Sequence, residues 1–167
     1  MKKSMLAVLL FAARVLAQGP AQAPTQDQVE TALIGAGCGP SQVLFDITVD
    51  KNQHPLAQPE SGKALVYVIN EVGFSMKIGL DGAWVGANRG WSYFSFSVGP
   101  GDHHLCMSEQ GDHKQGSAAS FTAAAGETYY FQSSLNEGTE WKLKAIDPAK
   151  GLFLIASSAL STSHPKK

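Results

Sequence analysis

The chain has 167 residues, the length of one ordinary domain, and a formal net charge of −1. Thirteen Lys and Arg residues nearly balance fourteen Asp and Glu residues, and the only basic run after Lys2-Lys3 is Lys166-Lys167. Nucleic-acid binding requires a basic stripe along one surface, so this composition argues against a nucleic-acid partner.

The first residues have the pattern of an export signal. Lys2 and Lys3 precede a short apolar run over residues 5–13, after which cleavage sites follow. We expect a signal peptide over residues 1–17, with an alternative end at residue 23; a retained anchor is the other interpretation. The signal also carries Arg14, so its removal would lower the net charge by three units. No apolar run is long enough to span a bilayer, so no transmembrane segment is predicted, and the protein is expected to be periplasmic or secreted.

Two cysteines, Cys38 and Cys106, would remain after cleavage. Because an exported protein meets an oxidising compartment, we expect them to form a disulfide. The alternative is two separate buried thiols that behave as small apolar residues.

Residues 18–40 are predicted to form a lead segment and a short helix. Residues 18–24 are rich in Pro, Ala and Gln, which is typical of a flexible lead. Thr25 and Gln28 have the spacing of a capping box, and Gly35 is placed to end the helix.

Residues 41–147 have the pattern of a β domain, and residues 148–167 that of a C-terminal helix and tail. Short segments alternate apolar and polar residues, with turn signals between them. The predicted strands lie at residues 43–49, 63–70, 74–80, 83–88, 92–98, 103–107, 120–122, 128–133 and 141–146. Asp147-Pro148 then begins a helix whose apolar residues keep helical spacing as far as Leu160. The whole predicts a mainly β, antiparallel sandwich with two flanking helices.

The clearest local signal is a hairpin at Asp81-Gly82, a dipeptide that favours a type I′ turn. The turn predicts Leu80 opposite Ala83 and Gly79 opposite Trp84. Continued along the strands, the same register sets Ile78 opposite Val85 and Met76 opposite Ala87. Trp84 would therefore lie on the face away from the apolar row.

A series of short motifs runs from residue 62 to residue 131. It comprises Gly62-Lys63-Ala64-Leu65-Val66-Tyr67-Val68, Asp81-Gly82, Val85-Gly86, Ser92-Tyr93-Phe94, Val98-Gly99-Pro100-Gly101-Asp102-His103 and Ala125-Gly126-Glu127-Thr128-Tyr129-Tyr130-Phe131. In this order the motifs resemble the bacterial family known as domain of unknown function 2846, and also the short PEGA-type domains. The resemblance implies an exported Ig- or PEGA-like β-sandwich and supplies no catalytic residues.

A metal site is the first chemical hypothesis for the polar cluster at residues 102–106. Imidazole, thiolate and carboxylate groups bind zinc and copper, but adjacent strand residues point to opposite faces of a sheet. His103 and His104 should therefore not bind one ion together, and Cys106 is expected to pair with Cys38. If a metal site exists, His104, Asp112 and His113 are its expected ligands; otherwise these are solvated side chains, and no cofactor is predicted.

The sequence lacks the usual signatures of hydrolytic catalysis. There is no Gly-x-Ser-x-Gly elbow, His-Glu-x-x-His helix or phosphate-cradling glycine loop. The acidic residues are scattered at loops and strand ends, without a visible pair for acid–base work. The protein is therefore predicted not to be an enzyme.

An aromatic patch is the remaining candidate for a site. Trp84, Trp91 and Tyr93 are predicted to face outward, with Lys77 or Arg89 at the edge of the patch. Flat rings with polar neighbours suit sugar rings or protein partners. The alternative is that the C-terminal helix covers them.

These patterns favour an exported, non-catalytic binding or accessory module of the cell envelope. Its partner would be an envelope protein or a polysaccharide. A periplasmic metal-binding protein is the second hypothesis, and an enzyme of unknown type is the third.

Overall fold

The computed structural model describes residues 23–111, 116–136 and 140–167. The predicted signal peptide and the predicted ligands Asp112 and His113 lie outside these residues. The helices are α1 (Gln26–Gly37) and α2 (Pro148–Ser157). The strands are β1 (Phe45–Asp50), β2 (Ala64–Asn70), β3 (Met76–Leu80), β4 (Ala83–Asn88), β5 (Ser92–Val98), β6 (Gly101–Glu109), β7 (Ser117–Ala123), β8 (Thr128–Asn136), β9 (Glu140–Ile146) and β10 (Ala159–Pro165).

The strands of the described residues form two sheets, which confirms the predicted mainly β sandwich. One sheet has six strands in the order β1-β10-β5-β2-β8-β9, and the other has four in the order β4-β3-β6-β7. Neighbours are antiparallel except for two pairs, β2 with β8 and β10 with β5, which are parallel. The sequence patterns did not predict these parallel pairs.

The apolar residues form two layers, one on each face of the six-stranded sheet. The layer between the sheets includes Val66, Met76 and Phe131. The second layer lies on the outer face of the six-stranded sheet, where Tyr67 and Tyr93 pack beneath α2. This double coverage explains why β2 is buried along its whole length and apolar on both faces.

The hairpin turns at Asp81-Gly82 as predicted, but only the pairs next to the turn keep the predicted register. Leu80 pairs with Ala83 and Gly79 with Trp84, whereas Ile78 pairs with Gly86 instead of Val85. Beyond that point Met76 pairs with Asn88 instead of Ala87. A β-bulge between Ile78 and Gly79 causes the shift, because one strand then contributes an extra residue.

The predicted C-terminal helix and tail over residues 148–167 is wrong in its second half. Helix α2 ends at Ser157, and residues 159–165 form β10, antiparallel to β1 and parallel to β5. Serine and threonine at positions 161–163 favour an extended backbone over a helix. β10 completes the six-stranded sheet, so the sandwich extends past the predicted boundary at residue 147.

Helix α1 lies on the outer face of the four-stranded sheet, where a disulfide holds its end. The predicted capping box of Thr25 and Gln28 is present, but the helix continues past Gly35 to Gly37 and is capped by Cys38. Cys38 is bonded to Cys106 on β6, with 5.2 Å between their Cα atoms, which confirms the predicted disulfide. In the described part of α1 only Gly37 is fully buried and Leu33 and Ile34 are part-buried, so apolar packing contributes less to its attachment than in α2, which buries Leu154 and Ile155. Neither of the described helices is long and apolar enough to cross a membrane.

We expect the disulfide to account for most of the attachment of α1. It closes a loop with a sequence separation of 68 residues. The chain-entropy model gives such a bond about 4 kcal/mol of the free energy of unfolding. Replacing both cysteines by serine should lower the free energy of unfolding by about 4 kcal/mol in urea denaturation, and it should speed hydrogen exchange at the α1 amides more than at β2. Unchanged exchange in α1 would contradict this assignment.

Candidate functional site

Trp84 and Lys77, two of the predicted ligand-binding residues, bind a segment of the chain itself. Residues 37–43 cross the outer face of the four-stranded sheet; we call them the strap. The Lys77 ammonium donates to the carbonyls of Ser41 and Val43 at 3.0 and 3.1 Å. The Trp84 indole N–H donates to the Pro40 carbonyl at 2.7 Å, and its ring lies 4.4 Å from the Lys77 nitrogen. Burial lowers the pKa of Lys77.

Two glycines allow the strap to approach the sheet so closely. A Cβ atom on Gly79 would lie 2.5 Å from the carbonyl oxygen of Gly37, and one on Gly39 would lie 2.6 Å from the Trp84 ring. The space above Gly79 and beside the Trp84 ring is therefore occupied by the chain's own backbone. Trp84 and Lys77 hold the strap against the sheet.

Tyr93 is fully buried, so the predicted patch of Trp84, Trp91 and Tyr93 does not form. Its ring packs against Tyr67 at 6.1 Å beneath α2, on the outer face of the six-stranded sheet. Trp84 lies on the outer face of the other sheet. The alternative of a covering C-terminal helix is thus correct for Tyr93, because β5 and β4 belong to different sheets.

The buried hydroxyls of Tyr93 and Tyr67 should respond in opposite ways to removal. The Tyr93 hydroxyl has no hydrogen-bond partner among the described residues, whereas that of Tyr67 accepts from the Ala57 N–H at 2.8 Å. Tyr93→Phe should leave the free energy of unfolding unchanged or raise it, and Tyr67→Phe should lower it by about 1 kcal/mol. Chemical denaturation measures both, and a larger loss for Tyr93→Phe would show that its hydroxyl is bonded.

Trp91 is the exposed aromatic residue, and its backbone is held in an unfavourable conformation. Its φ angle is 60°, a region that bulky residues rarely adopt, and the residue is 65% exposed. The Trp91 N–H donates to the Asn70 carbonyl at 2.9 Å, and its carbonyl accepts from the Ala159 N–H at 3.2 Å. The preceding Gly90 lies so close to Val72 that a Cβ atom would be 2.5 Å from the Val72 carbonyl oxygen. The fold therefore fixes the backbone of Trp91 on both sides.

The Trp91 ring borders a shallow cleft of about 340 Å³. Its lining comprises Lys51, His54, Trp91 and the end of α2 with the start of β10, residues 156–159. The His54 Nδ1 atom lies 3.2 Å from the Ile155 carbonyl, which positions the imidazole beside the helix end. Among the described residues, the Trp91 indole makes no hydrogen bond or ring contact. We name this the Trp91 cleft, and its combination of a free aromatic face with polar edges suits a sugar ring.

The sequence indicated one residue of this cleft and missed the others. Trp91 was a predicted site residue, but Lys51 and His54 lie between the predicted strands at residues 43–49 and 63–70, where the sequence predicted no element. Arg89 is exposed and does not line the cleft. The tertiary contact between His54 and the Ile155 carbonyl holds the loop beside the end of α2, and no local pattern in the sequence encodes that contact.

The histidines of β6 surround the turn carboxylate of Asp81. His103 Nδ1 lies 2.6 Å from the carboxylate, and its Nε2 lies 2.9 Å from the Gly99 carbonyl. Both ring nitrogens therefore face acceptors, which suits the protonated imidazole and leaves neither nitrogen free for a metal. His104 is part-exposed, with its Nδ1 4.0 Å from Asp81. Within residues 23–111, 116–136 and 140–167, no group of three or more His, Cys, Asp or Glu side chains could hold a metal ion.

This contact should make stability depend on pH. Partial burial opposes the charge on His103, but the hydrogen bonds to Asp81 and Gly99 outweigh it, so the pKa of His103 is raised. Burial likewise opposes the charge on Asp81, but the backbone N–H of His104 and the His103 side chain outweigh it, so the pKa of Asp81 is lowered. The His103 contribution is complete below the ordinary value of 6.5 and is lost as pH rises. The Asp81 contribution is complete above 3.8 and is lost as pH falls.

His103→Gln should therefore lower the free energy of unfolding by up to about 1 kcal/mol near pH 5, and by less near pH 9. Urea denaturation at both pH values measures the difference. His164→Gln, which alters an exposed histidine on β10, is the control. An equal loss at both pH values would show that the ion pair does not operate.

Comparison with known proteins found no matching family model and no similar curated protein.

Proposed function

We propose that the chain is an exported, non-catalytic binding module of the cell envelope and that it holds a glycan at the Trp91 cleft. The disulfide between Cys38 and Cys106 supports an oxidising location, because such bonds are rare in reducing compartments. The resemblance to domain of unknown function 2846 and to PEGA-type domains fits the same proposal. Such a module offers a rigid sheet and its loops as the binding surface.

The observation that carries the proposal is the state of the Trp91 ring. A bulky residue at positive φ costs on the order of 1 kcal/mol or more, and an exposed ring recovers little of it by burial. Such strain persists only where the surrounding structure enforces it, and it is concentrated at functional sites. The ring is also free, whereas the Trp84 ring is occupied by Lys77 and the strap.

Trp91→Asn tests the proposal because asparagine tolerates positive φ. It should remove binding while leaving the free energy of unfolding equal to or above that of the wild type. Trp91→Ala removes the same ring but keeps the strain, so it should be about 1 kcal/mol less stable than Trp91→Asn. Chemical denaturation of the two variants establishes that the ring, and not the fold, has been lost.

Binding is measured by affinity electrophoresis through gels that hold neutral or acidic polysaccharides. The wild type should be retarded by at least one polysaccharide, and Trp91→Asn should migrate freely. Phe153→Ser is the matched control, because Phe153 is an exposed aromatic that does not line the cleft. Retardation of Trp91→Asn equal to that of the wild type would refute the proposed site.

A further inference from the structure

We infer that the glycan held at the Trp91 cleft is acidic, with a carboxylate that is recognised by Lys51. The inference rests on the proposed function. It adds the ligand class, which neither the fold nor the exposed ring determines by itself.

The ionisable side chains that line the cleft are basic. Its two ionisable side chains are Lys51 and His54, and the lining contains no carboxylate. The rest of the chain is slightly acidic, so a basic lining is a local departure from the overall charge. A cleft whose walls carry one sign of charge concentrates ligands of the opposite sign.

The Lys51 ammonium is not bound by any carboxylate of the described residues, although Asp50 is its neighbour in the chain. The adjacent Asp50 carboxylate accepts a hydrogen bond from the Asn52 N–H at 2.8 Å. No ion pair to Lys51 occurs among the described residues. By contrast, Lys63 pairs with Glu60 at 2.6 Å, and Lys166 pairs with Asp46 at 3.6 Å.

The Trp91 ring and the Lys51 side chain line the same cleft. Trp91 is fixed by backbone hydrogen bonds to β2 and β10, and His54 is fixed to the end of α2 by its contact with the Ile155 carbonyl. The aromatic ring can stack on the apolar face of one sugar, while Lys51 reaches a charged group at the edge of that sugar or of the next one. A uronic acid offers both features in one residue.

An anionic membrane surface is the competing partner, since Phe153 is 72% and Leu152 41% exposed on α2. Two features favour the glycan. The Trp91 ring borders a cleft whose other walls are mainly polar or small, and the lysine and histidine lie in that cleft instead of around the apolar pair. Membrane insertion would instead make Phe153 the leading side chain.

The test compares two probes with the same sugar chain, trigalacturonic acid and its trimethyl ester, in which three methyl groups remove the negative charges. Calorimetric titration of the full chain with its disulfide intact gives both affinities. Wild type should bind the acid roughly tenfold more tightly than the ester, because a charge-assisted hydrogen bond is lost in the ester. Lys51→Met should weaken binding of the acid by the same factor and leave binding of the ester unchanged.

Lys144→Met is the matched control, because Lys144 is an exposed lysine on β9 outside the cleft. It should bind both probes as the wild type does. A parallel titration uses vesicles of anionic phospholipid with wild type, Trp91→Asn and Phe153→Ser.

The outcomes separate the two proposals. Equal affinity for acid and ester, with both lost in Trp91→Asn, would overturn the acidic ligand and leave the glycan site standing. Binding of neither probe, together with free migration in every polysaccharide gel, would overturn the glycan site itself. Vesicle binding that is lost in Phe153→Ser but kept in Trp91→Asn would replace the glycan with a membrane surface.

Discussion

The buried side-chain amide of Asn70 is the constraint on which the two loops beside the cleft depend. It donates to the carbonyls of Phe74 and Arg89 at 2.9 and 3.1 Å, and it accepts from the Val72 N–H and the Ser133 hydroxyl at 3.0 Å each. The amide is fully buried, so each lost bond would leave a polar group without water, at a cost of about 1–3 kcal/mol. The loops after β2 and β4 therefore have one favourable arrangement, and the backbone of Asn70 binds Trp91 within it.

β10 belongs to the same network, which explains why a serine-rich segment forms a strand. The Ser161 hydroxyl lies 2.7 Å from that of Ser92 and accepts from the Arg89 N–H at 3.3 Å, while Ser163 accepts from the Ala87 N–H at 2.9 Å. β4 is the edge strand of its sheet and has no neighbouring strand on this side, so these hydroxyls accept from the N–H groups of Ala87 and Arg89 instead. The contribution of β10 is thus polar and tertiary, and it also brings Ala159 to the Trp91 carbonyl.

Local patterns predicted those elements whose cause is local. A continuous apolar run predicted β2, alternation predicted β5, Asp81-Gly82 predicted the turn, and Thr25 with Gln28 predicted the start of α1. The parallel partners of β2 and β5, the strap and β10 have no local cause, because long-range hydrogen bonds and close backbone contacts specify them. The bulge after Ile78 belongs to the same class. For the candidate site, the alternation of strand residues predicted only that an indole faces outward.

Trp84 and Trp91 looked equivalent by that criterion, and the difference between them supports the proposed site at Trp91. For Trp84 every feature of the indole contributes to folding, because its N–H donates to the Pro40 carbonyl and its face contacts the Lys77 ammonium. Gly39 has no side chain, which leaves room for the ring. For Trp91 the indole contributes almost nothing to folding, and its backbone conformation opposes it. Asparagine or glycine would satisfy the same backbone bonds with less strain. A large ring at a position that folding would assign to a small residue is best explained by a contact outside the chain.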